Sequence, residues 1–406
     1  MTTKSVPPPV SVALVGIGGY GETYLRGLLD DQKSHLVAMV AAIDPAPDRC
    51  SRLSDVQRRG IPVFPDLATY FKAGGGADLV VIASPIHLHA EQTCVALAHG
   101  SHVLCEKPLC STVQDGERMM AAHRASGRHA AIGYQWSFSD AITALKRDIM
   151  SGRFGRPTLL KTKVLWPRTH SYYGRSPWAG AMKAKNGAWV LDSPVNNATA
   201  HYLHNALFCL GAERDSSATP ESVIAELYRA NDITNFDTAV LRIHLSNGAD
   251  LLYVASHAAD PVTETVLSYR FERAVVGYRQ GDPAITAVCT DGTRIDYAPA
   301  EVPDDLEKLW AMVAAIRGGA SPACPPSAAL AQTLCVNGAQ RSMPEITVFP
   351  KDMVRTDGDG DARRCIVPGL HEALTRCYLE GRLPSELGFP WARPGRMVDV
   401  RSLNVF

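Results

Sequence analysis

This 406-residue chain has no surplus of charge. Its 41 Lys and Arg residues face 41 Asp and Glu, a balance that argues against nucleic acid or an anionic membrane surface as a partner. It has no apolar run of membrane-spanning length. The opening Met1 to Pro9 is polar and proline-rich. It lacks the apolar stretch of a secretory leader, and the first core strand is expected from about Val10. No C-x-x-C pair occurs among the ten cysteines, and several (Cys94, Cys105, Cys209, Cys335) sit inside apolar runs, where a thiol behaves as a small hydrophobe. These absences predict a reduced, cytoplasmic protein without disulfides. Metal-ligand spacing is also missing. His201 and His204 are three apart and His87 and His89 two apart, with no acid in register. The stretch Asp357-Gly358-Asp359-Gly360-Asp361 imitates the start of a calcium loop. It has Ala362 where that loop needs glycine and Pro368 where it needs glutamate, so a solvated loop and no metal are expected.

The most informative stretch present is Val12-Ala13-Leu14-Val15-Gly16-Ile17-Gly18-Gly19-Tyr20-Gly21-Glu22-Thr23. A β-branched run feeds a glycine turn, and a helical pattern follows. Gly16 permits the tight turn, Gly18 lets the backbone approach a pyrophosphate, and Gly21 lets helix and strand pack closely. The helix N-terminus offers free N–H groups and a positive dipole end to phosphates. The next apolar run, Leu36 to Ile43, ends at Asp44, 23 residues beyond Gly21. A carboxylate there accepts the ribose hydroxyls of NAD and repels a 2′-phosphate.

Strand and helix patterns alternate from there to Gly133, which predicts a doubly wound parallel sheet. Ligands bind such sheets beyond the carboxyl ends of the strands. Ser84, Glu106, Lys107 and Tyr134 fall just past strand ends and are expected to line one crevice. From about residue 150 the pattern changes. Strands are expected near 157–166, 222–230, 237–245, 250–257 and 264–278, and helices near 195–210, 303–317 and 327–342. The consecutive strands, some with short turns such as Ser246-Asn247-Gly248, favour a large open, mostly antiparallel or mixed sheet with helices on one face. The fold class is therefore α/β, a Rossmann domain over 10–133 followed by an α+β substrate and oligomerisation domain over 134–350. A C-terminal extension, 351–406, holds a helix expected at 368–381. An open sheet needs a cover, so a homodimer or homotetramer through the second domain is expected.

Three motifs, in this order, resemble the Gfo/Idh/MocA family. They are Gly16-Ile17-Gly18-Gly19-Tyr20-Gly21, then Ala83-Ser84-Pro85-Ile86-His87-Leu88-His89, then Glu106-Lys107-Pro108. The founding members are glucose–fructose oxidoreductase, inositol 2-dehydrogenase and the rhizopine-catabolism protein, and the likeness covers about residues 10–345. It implies NAD as cofactor and a sugar, cyclitol or glycoside as substrate. It implies that Ser84, Pro85, His89, Glu106, Lys107 and Gln135 join the glycine loop and Asp44 around NAD. It also leaves open a glycoside hydrolase that uses NAD only transiently, and a non-catalytic nucleotide-binding sensor.

Removing a hydride from an alcohol carbon requires a base for the hydroxyl proton and a cation at the developing oxygen. Lys107 suits the second role, with Glu106 orienting it. The base is expected near Trp189-Val190-Leu191-Asp192-Ser193-Pro194-Val195-Asn196-Asn197-Ala198-Thr199-Ala200-His201-Tyr202-Leu203-His204. Relatives carry glycines, an Asp or Asn, and a His four residues on. Two registers fit. One uses Asp192 and puts Asn196 where the His belongs. The other, which is favoured, uses Asn197 and His201, four apart on one helix face, with Gly211 as the stop. The missing glycines and His204 in place of an acid are departures from the family pattern. Upstream, Trp166, Arg168, Tyr172, Tyr173 and Trp178 suit a sugar wall, since aromatic faces stack on C–H surfaces and arginine forks take hydroxyl pairs or carboxylates. A packing arm is the competing reading. Tyr172 or Tyr173 is the fallback acid–base.

Overall fold

The computed structural model describes residues 7–300 and 304–406. The expected leaderless N-terminus falls partly, and the start of the helix expected at 303 wholly, outside the described residues. The chain divides into two compact units. The first comprises the described residues of Met1–Cys110, Asp115–Phe138 and Pro303–Pro326, and the second those of Ser111–Gln114, Ser139–Val302 and Ser327–Phe406.

Unit one is built on six parallel strands: β1 (Val10–Val15), β2 (Val37–Ile43), β3 (Val63–Phe64), β4 (Leu79–Ile82), β5 (His102–Cys105) and β6 (Ala130–Ile132). Their order is β3-β2-β1-β4-β5-β6, so the winding reverses between β1 and β4. The near-continuous apolar runs follow from burial on both faces: every residue of β4 and β6 is buried. The carboxyl ends deliver Gly16, Asp44, Ser84, Glu106 and Gly133 to one edge, as expected from the alternation.

One boundary differs from the expectation. The helix Glu307–Ile316, placed by sequence in the second domain, belongs to unit one. Leu306, Leu309, Met312 and Val313 enter the core formed by Val12, Leu14, Tyr24, Leu25 and Leu28. Gly27 makes the room, because a Cβ there would lie 2.7 Å from Leu306 Cδ1. The carbonyl of Cys324 then accepts from the Ile132 amide at the edge strand β6.

Unit two is a ten-stranded mixed sheet. Its principal strands are β7 (Pro157–Leu165), β8 (Pro220–Arg229), β9 (Thr238–Leu245), β10 (Asp250–Ser256), β11 (Val266–Phe271), β12 (Ala274–Arg279), β13 (Ile285–Cys289), β14 (Arg294–Tyr297) and β15 (Thr347–Val348). They run in the order β14-β13-β12-β11-β7-β10-β9-β8-β15, and Val398–Asp399 also pairs with β8. The pairs β7/β10 and β8/β15 are parallel and the rest antiparallel. The single strand expected over 264–278 is two, β11 and β12, turning at Glu272-Arg273, where the backbone bonds instead to Arg156, Phe154 and Thr290. Strands β13 and β14 had no sequence expectation.

The sheet has helices on one face only in part. Odd-numbered residues of β8, β9 and β10 face the helices Ala200–Cys209 and Pro326–Ser342: Tyr253 OH donates to Thr199 O at 2.6 Å, and a Cβ on Gly338 would lie 3.0 Å from Val223 Cγ2. Even-numbered residues of β8, β9 and β10 and odd-numbered residues of β7 meet the segment 351–406. Leu165, Tyr228, Val240, Leu252 and Val254 pack with Leu370, Leu374, Tyr378, Leu383 and Trp391. Polar contacts reinforce the seam: Arg242 pairs with Glu386 at 2.6 Å, and Lys163 Nζ donates to Thr375 Oγ1 at 2.9 Å. The extension is thus part of unit two rather than a tail. Its helix, Leu370–Glu380, is flanked by left-handed Gly369 and Gly381.

Candidate active site

In unit one the glycine turn has the backbone its sequence requires. Gly16 is left-handed (φ +79), and its amide donates to Ile43 O at 2.8 Å. A Cβ on Gly21 would sit 1.9 Å from Gly16 O, so only glycine lets the helix Gly21–Leu29 start this close. Nothing lies within 4 Å of a Cβ on Gly19, and the nearest atom to one on Gly18 is 3.8 Å away. The turn is open for a dinucleotide's phosphates, which fits NAD. Asp44 is held beside it, with Oδ2 accepting from the Ile17 amide (3.0 Å) and Oδ1 from the Ala46 amide (2.8 Å).

Glu106 is 7% exposed. Its Oε1 accepts from Tyr24 OH at 2.6 Å and meets Lys308 Nζ at 2.5 Å, and its Oε2 accepts from the Lys107 amide at 3.1 Å. Burial pushes the carboxyl pKa up, but Lys308, Tyr24 and Lys107 together outweigh it and hold it below the usual range. Gly133 admits this carboxylate, since a Cβ there would lie 2.9 Å from Glu106 Oε1. Lys308 Nζ also donates to Tyr20 OH at 3.1 Å. Gln135 Nε2 reaches Tyr20 OH (3.3 Å) and Asp305 Oδ1 (2.5 Å). Burial, then the charges of Glu106 and Asp305, raise the Tyr20 phenol. Lys308 is the residue sequence reading missed. The signal was a lone Lys on an apolar helix face, Lys308-Leu309-Trp310-Ala311-Met312, where a charge needs a partner.

His89 differs from its expected place at the cofactor. It is 1% exposed, with Nδ1 2.8 Å from Pro108 O and Nε2 2.9 Å from Ser84 O. It braces the loops that carry Ser84, Pro85 and Lys107. Ser84 Oγ donates to Gln92 Oε1 at 2.5 Å.

In unit two the expected helix 195–210 is two pieces, a π-helical turn Pro194–Ala198 and an α-helix Ala200–Cys209. Thr199 separates them, donating through Oγ1 to Pro194 O at 2.8 Å while Tyr253 OH holds its carbonyl. The single helix face expected to carry both Asn197 and His201 is therefore interrupted. Such π-turns recur at functional sites. Asp192, 2% exposed, accepts from Asn197 Nδ2 at 2.7 Å and the Gly180 amide at 2.6 Å, and lies 3.7 Å from Arg175. It follows Leu191, whose φ of +52 is strained for a branched side chain. Asn196 is buried with Nδ2 3.2 Å from Leu191 O, while Asn197 and His201 keep partial exposure. His204 is fully buried, its pKa driven down to about 3 by burial and then by Lys146.

Trp166, Arg168, Tyr172, Tyr173 and Trp178 gather in the same unit. Arg168 and Arg175 lie over Tyr172 at 4.8 and 3.8 Å, and Arg175 over Trp178 at 5.1 Å. Trp166 meets Tyr202 edge to face. Tyr173 OH is 3.2 Å from His257 Nδ1. Burial, then the charge of Asp192 on Tyr172 and of Asp237 on Tyr173, raise both phenols, which weakens the fallback base reading. No group of three or more potential metal ligands occurs among the described residues. No helix among them is long and apolar enough to cross a membrane. None of the ten cysteines is in a disulfide.

Residues 10–134 match the model of an oxidoreductase family with NAD-binding Rossmann fold, Gfo/Idh/MocA. Inositol 2-dehydrogenase 1 of Saccharopolyspora erythraea is 29% identical over 47% of this chain and 57% of its own length. Inositol 2-dehydrogenase of Streptomyces avermitilis is 29% identical over 53% of this chain and 60% of its own. The chain thus spans less than two thirds of these relatives. Among solved structures, the WlbA dehydrogenase of Bordetella pertussis in complex with NADH and UDP-GlcNAcA superposes with a TM-score of 0.68 at 23% identity, over 83% of this chain and 97% of that one. The likeness extends the shared fold through both units.

Proposed function

From the premise that residues 10–134 are the NAD-binding Rossmann domain of the Gfo/Idh/MocA oxidoreductase family, we propose that this protein transfers hydride between NAD and a secondary hydroxyl or ketone of a sugar, cyclitol or glycoside. The observation that carries the reading is the glycine turn, open at Gly18 and Gly19, beside an anchored Asp44 and the Glu106-Lys107-Pro108 turn. The open turn and the amides from Gly21 onward hold the pyrophosphate, and Asp44 takes the ribose hydroxyls. When bound, NAD supplies the hydride acceptor.

The chain's own groups handle the proton and the charge. Lys107 Nζ donates to the substrate oxygen and stabilises the charge that develops there. Glu106, fixed by Lys308 and Tyr24, anchors the Lys107 amide. His201 takes the hydroxyl proton in oxidation and returns it in reduction. Asn197, tied to Asp192, orients substrate or base. The partial exposure of Asn197 and His201, against the burial of Asn196, supports the register that uses them.

The reading includes a cytoplasmic protein, in keeping with ten cysteines outside any disulfide, and a homo-oligomer. Association would use the sheet end that the extension leaves bare, where cross-strand neighbours Val275 and Val288 are exposed. A monomeric mass in sedimentation would contradict it. The activity test is absorbance at 340 nm with free NAD against cyclitols, sugars and glycosides, with aglycone assayed in the same wells. NADH formation in step with one substrate is expected. Aglycone release without lasting NADH would identify transient oxidation and hydrolysis, and silence in both would overturn the proposal.

A further inference from the structure

Past the carboxyl ends of the parallel pair β7 and β10, the chain keeps its pairing for a few residues. The Trp166 amide donates to Ser256 O at 2.9 Å, and the Arg168 amide to His257 O at 3.0 Å. Arg168 and His257 are therefore fixed neighbours on a rigid base. Arg175 has a carboxylate, Asp192, which also takes the Gly180 amide and Asn197. Arg168 has none. Among the described residues its guanidinium makes no ion pair, it lies against the rings of Trp166 (5.6 Å) and Tyr172 (4.8 Å), and its Nε is buried without a hydrogen-bond partner. His257 is 2% exposed. Its Nδ1 is occupied by Tyr173 OH, and its Nε2 has no partner. Burial, then the adjacent charges of Arg168 and Arg175, lower its pKa well below the usual range. The ring is thus neutral. In the tautomer in which Tyr173 OH donates to Nδ1, Nε2 carries the hydrogen and is the free donor.

A buried imidazole N–H and a buried guanidinium Nε–H are each costly unless an acceptor completes them. A hydroxyl would satisfy the donor and leave the charge. A phosphate would bring close to two negative charges against one free cation. A carboxylate matches both, taking the guanidinium in a fork and the imidazole N–H on its remaining lone pair. The flanking Trp166 ring suits the C–H face of a pyranose. We propose that Arg168 and His257 receive the carboxylate of a sugar acid, uronic or aldonic, as the distinguishing group of the substrate. This rests on the hydride-transfer reading for the fate of the bound sugar, and on unit two alone for its recognition.

The test uses the full chain loaded with NADH and titrated calorimetrically with D-glucuronate, D-galacturonate and D-gluconate, each against its uncharged counterpart. At least one acid is expected to bind about tenfold or more tighter than that counterpart, and Arg168→Gln to abolish the difference while NADH binding persists. Should Arg168→Gln not fold, Arg168→Lys keeps the charge without the fork and is expected to reduce the preference severalfold. Equal binding of acid and neutral sugar, a preference that survives substitution at Arg168, or no acid binding would each overturn the proposal. Absorbance at 340 nm with NAD is read separately. Arg168-dependent acid binding without NADH formation would sustain this site and sink only the hydride-transfer reading.

Discussion

Replacing Lys308 with Met should make the stability of unit one depend on pH in a way the wild type does not. The Glu106 carboxylate is 7% exposed and keeps only Tyr24 OH and the Lys107 amide once Lys308, 1% exposed, is gone. Breaking a buried ion pair by removing one partner costs about 3–5 kcal/mol. In the wild type the folded pKa of Glu106 is depressed. Its contribution is therefore fully present above the unfolded value, about 4.3, and is lost as pH falls through the folded value. In Lys308→Met, burial dominates and raises the folded pKa. The carboxyl then imposes a penalty above that raised value, and the penalty fades as pH falls toward about 4.3. The difference between the two proteins should thus grow from little near pH 4.5 to about 3–5 kcal/mol at pH 8. Urea unfolding across this range would measure it on the transition that NADH shifts upward, because a ligand stabilises the unit that binds it. Glu106→Gln with Lys308→Met should recover most of the loss at pH 8 and flatten its pH dependence. A difference of the same size at pH 5 and pH 8, or a double variant no better than Lys308→Met, would refute the reasoning.

Gly21→Ala drives a methyl into Gly16 O. Overpacking of about 1–3 kcal/mol should weaken NADH binding roughly 10- to 100-fold in a fluorescence titration. Asp44→Asn should narrow the preference for NAD over NADP by about tenfold or more, read as the ratio of kcat/KM values. His201→Ala should lower kcat by about 10²- to 10⁴-fold with NADH affinity unchanged, and a near-wild-type rate would remove His201 from the proposed chemistry. Trp391 packs against Tyr228, Phe349 and Phe389. Its replacement by Ala should destabilise unit two by about 3–5 kcal/mol in thermal unfolding, and deletion of 351–406 should cause self-association measurable by light scattering.

Local chemistry made much of unit one legible from the chain alone. A turn that needs left-handed Gly16 and a Gly21 without Cβ leaves a fixed spacing, and a strand buried on both faces leaves an unbroken apolar run. The Glu106-Lys107-Pro108 turn and the position of Asp44 follow from those runs, because residues just past strand ends share one edge. The mixed sheet of unit two was legible in its alternation. What the chain could not disclose depended on contacts distant in sequence. Lys308 lies 202 positions from Glu106, and an apolar helix face carries no address for the core it enters. The segment 351–406 has ordinary helical and proline-rich patterns, yet only the assembled sheet shows that β7–β10 are apolar on both faces and that this segment fills the second. The break at Thr199 is held in part by a hydroxyl from the sheet, Tyr253 of β10, which no helical periodicity records. Spacing determined the cofactor turn because its constraints act within a few residues. Tertiary structure decided what neutralises the buried Glu106, what covers the sheet and which residues surround Arg168, because burial and charge compensation are set by neighbours in space.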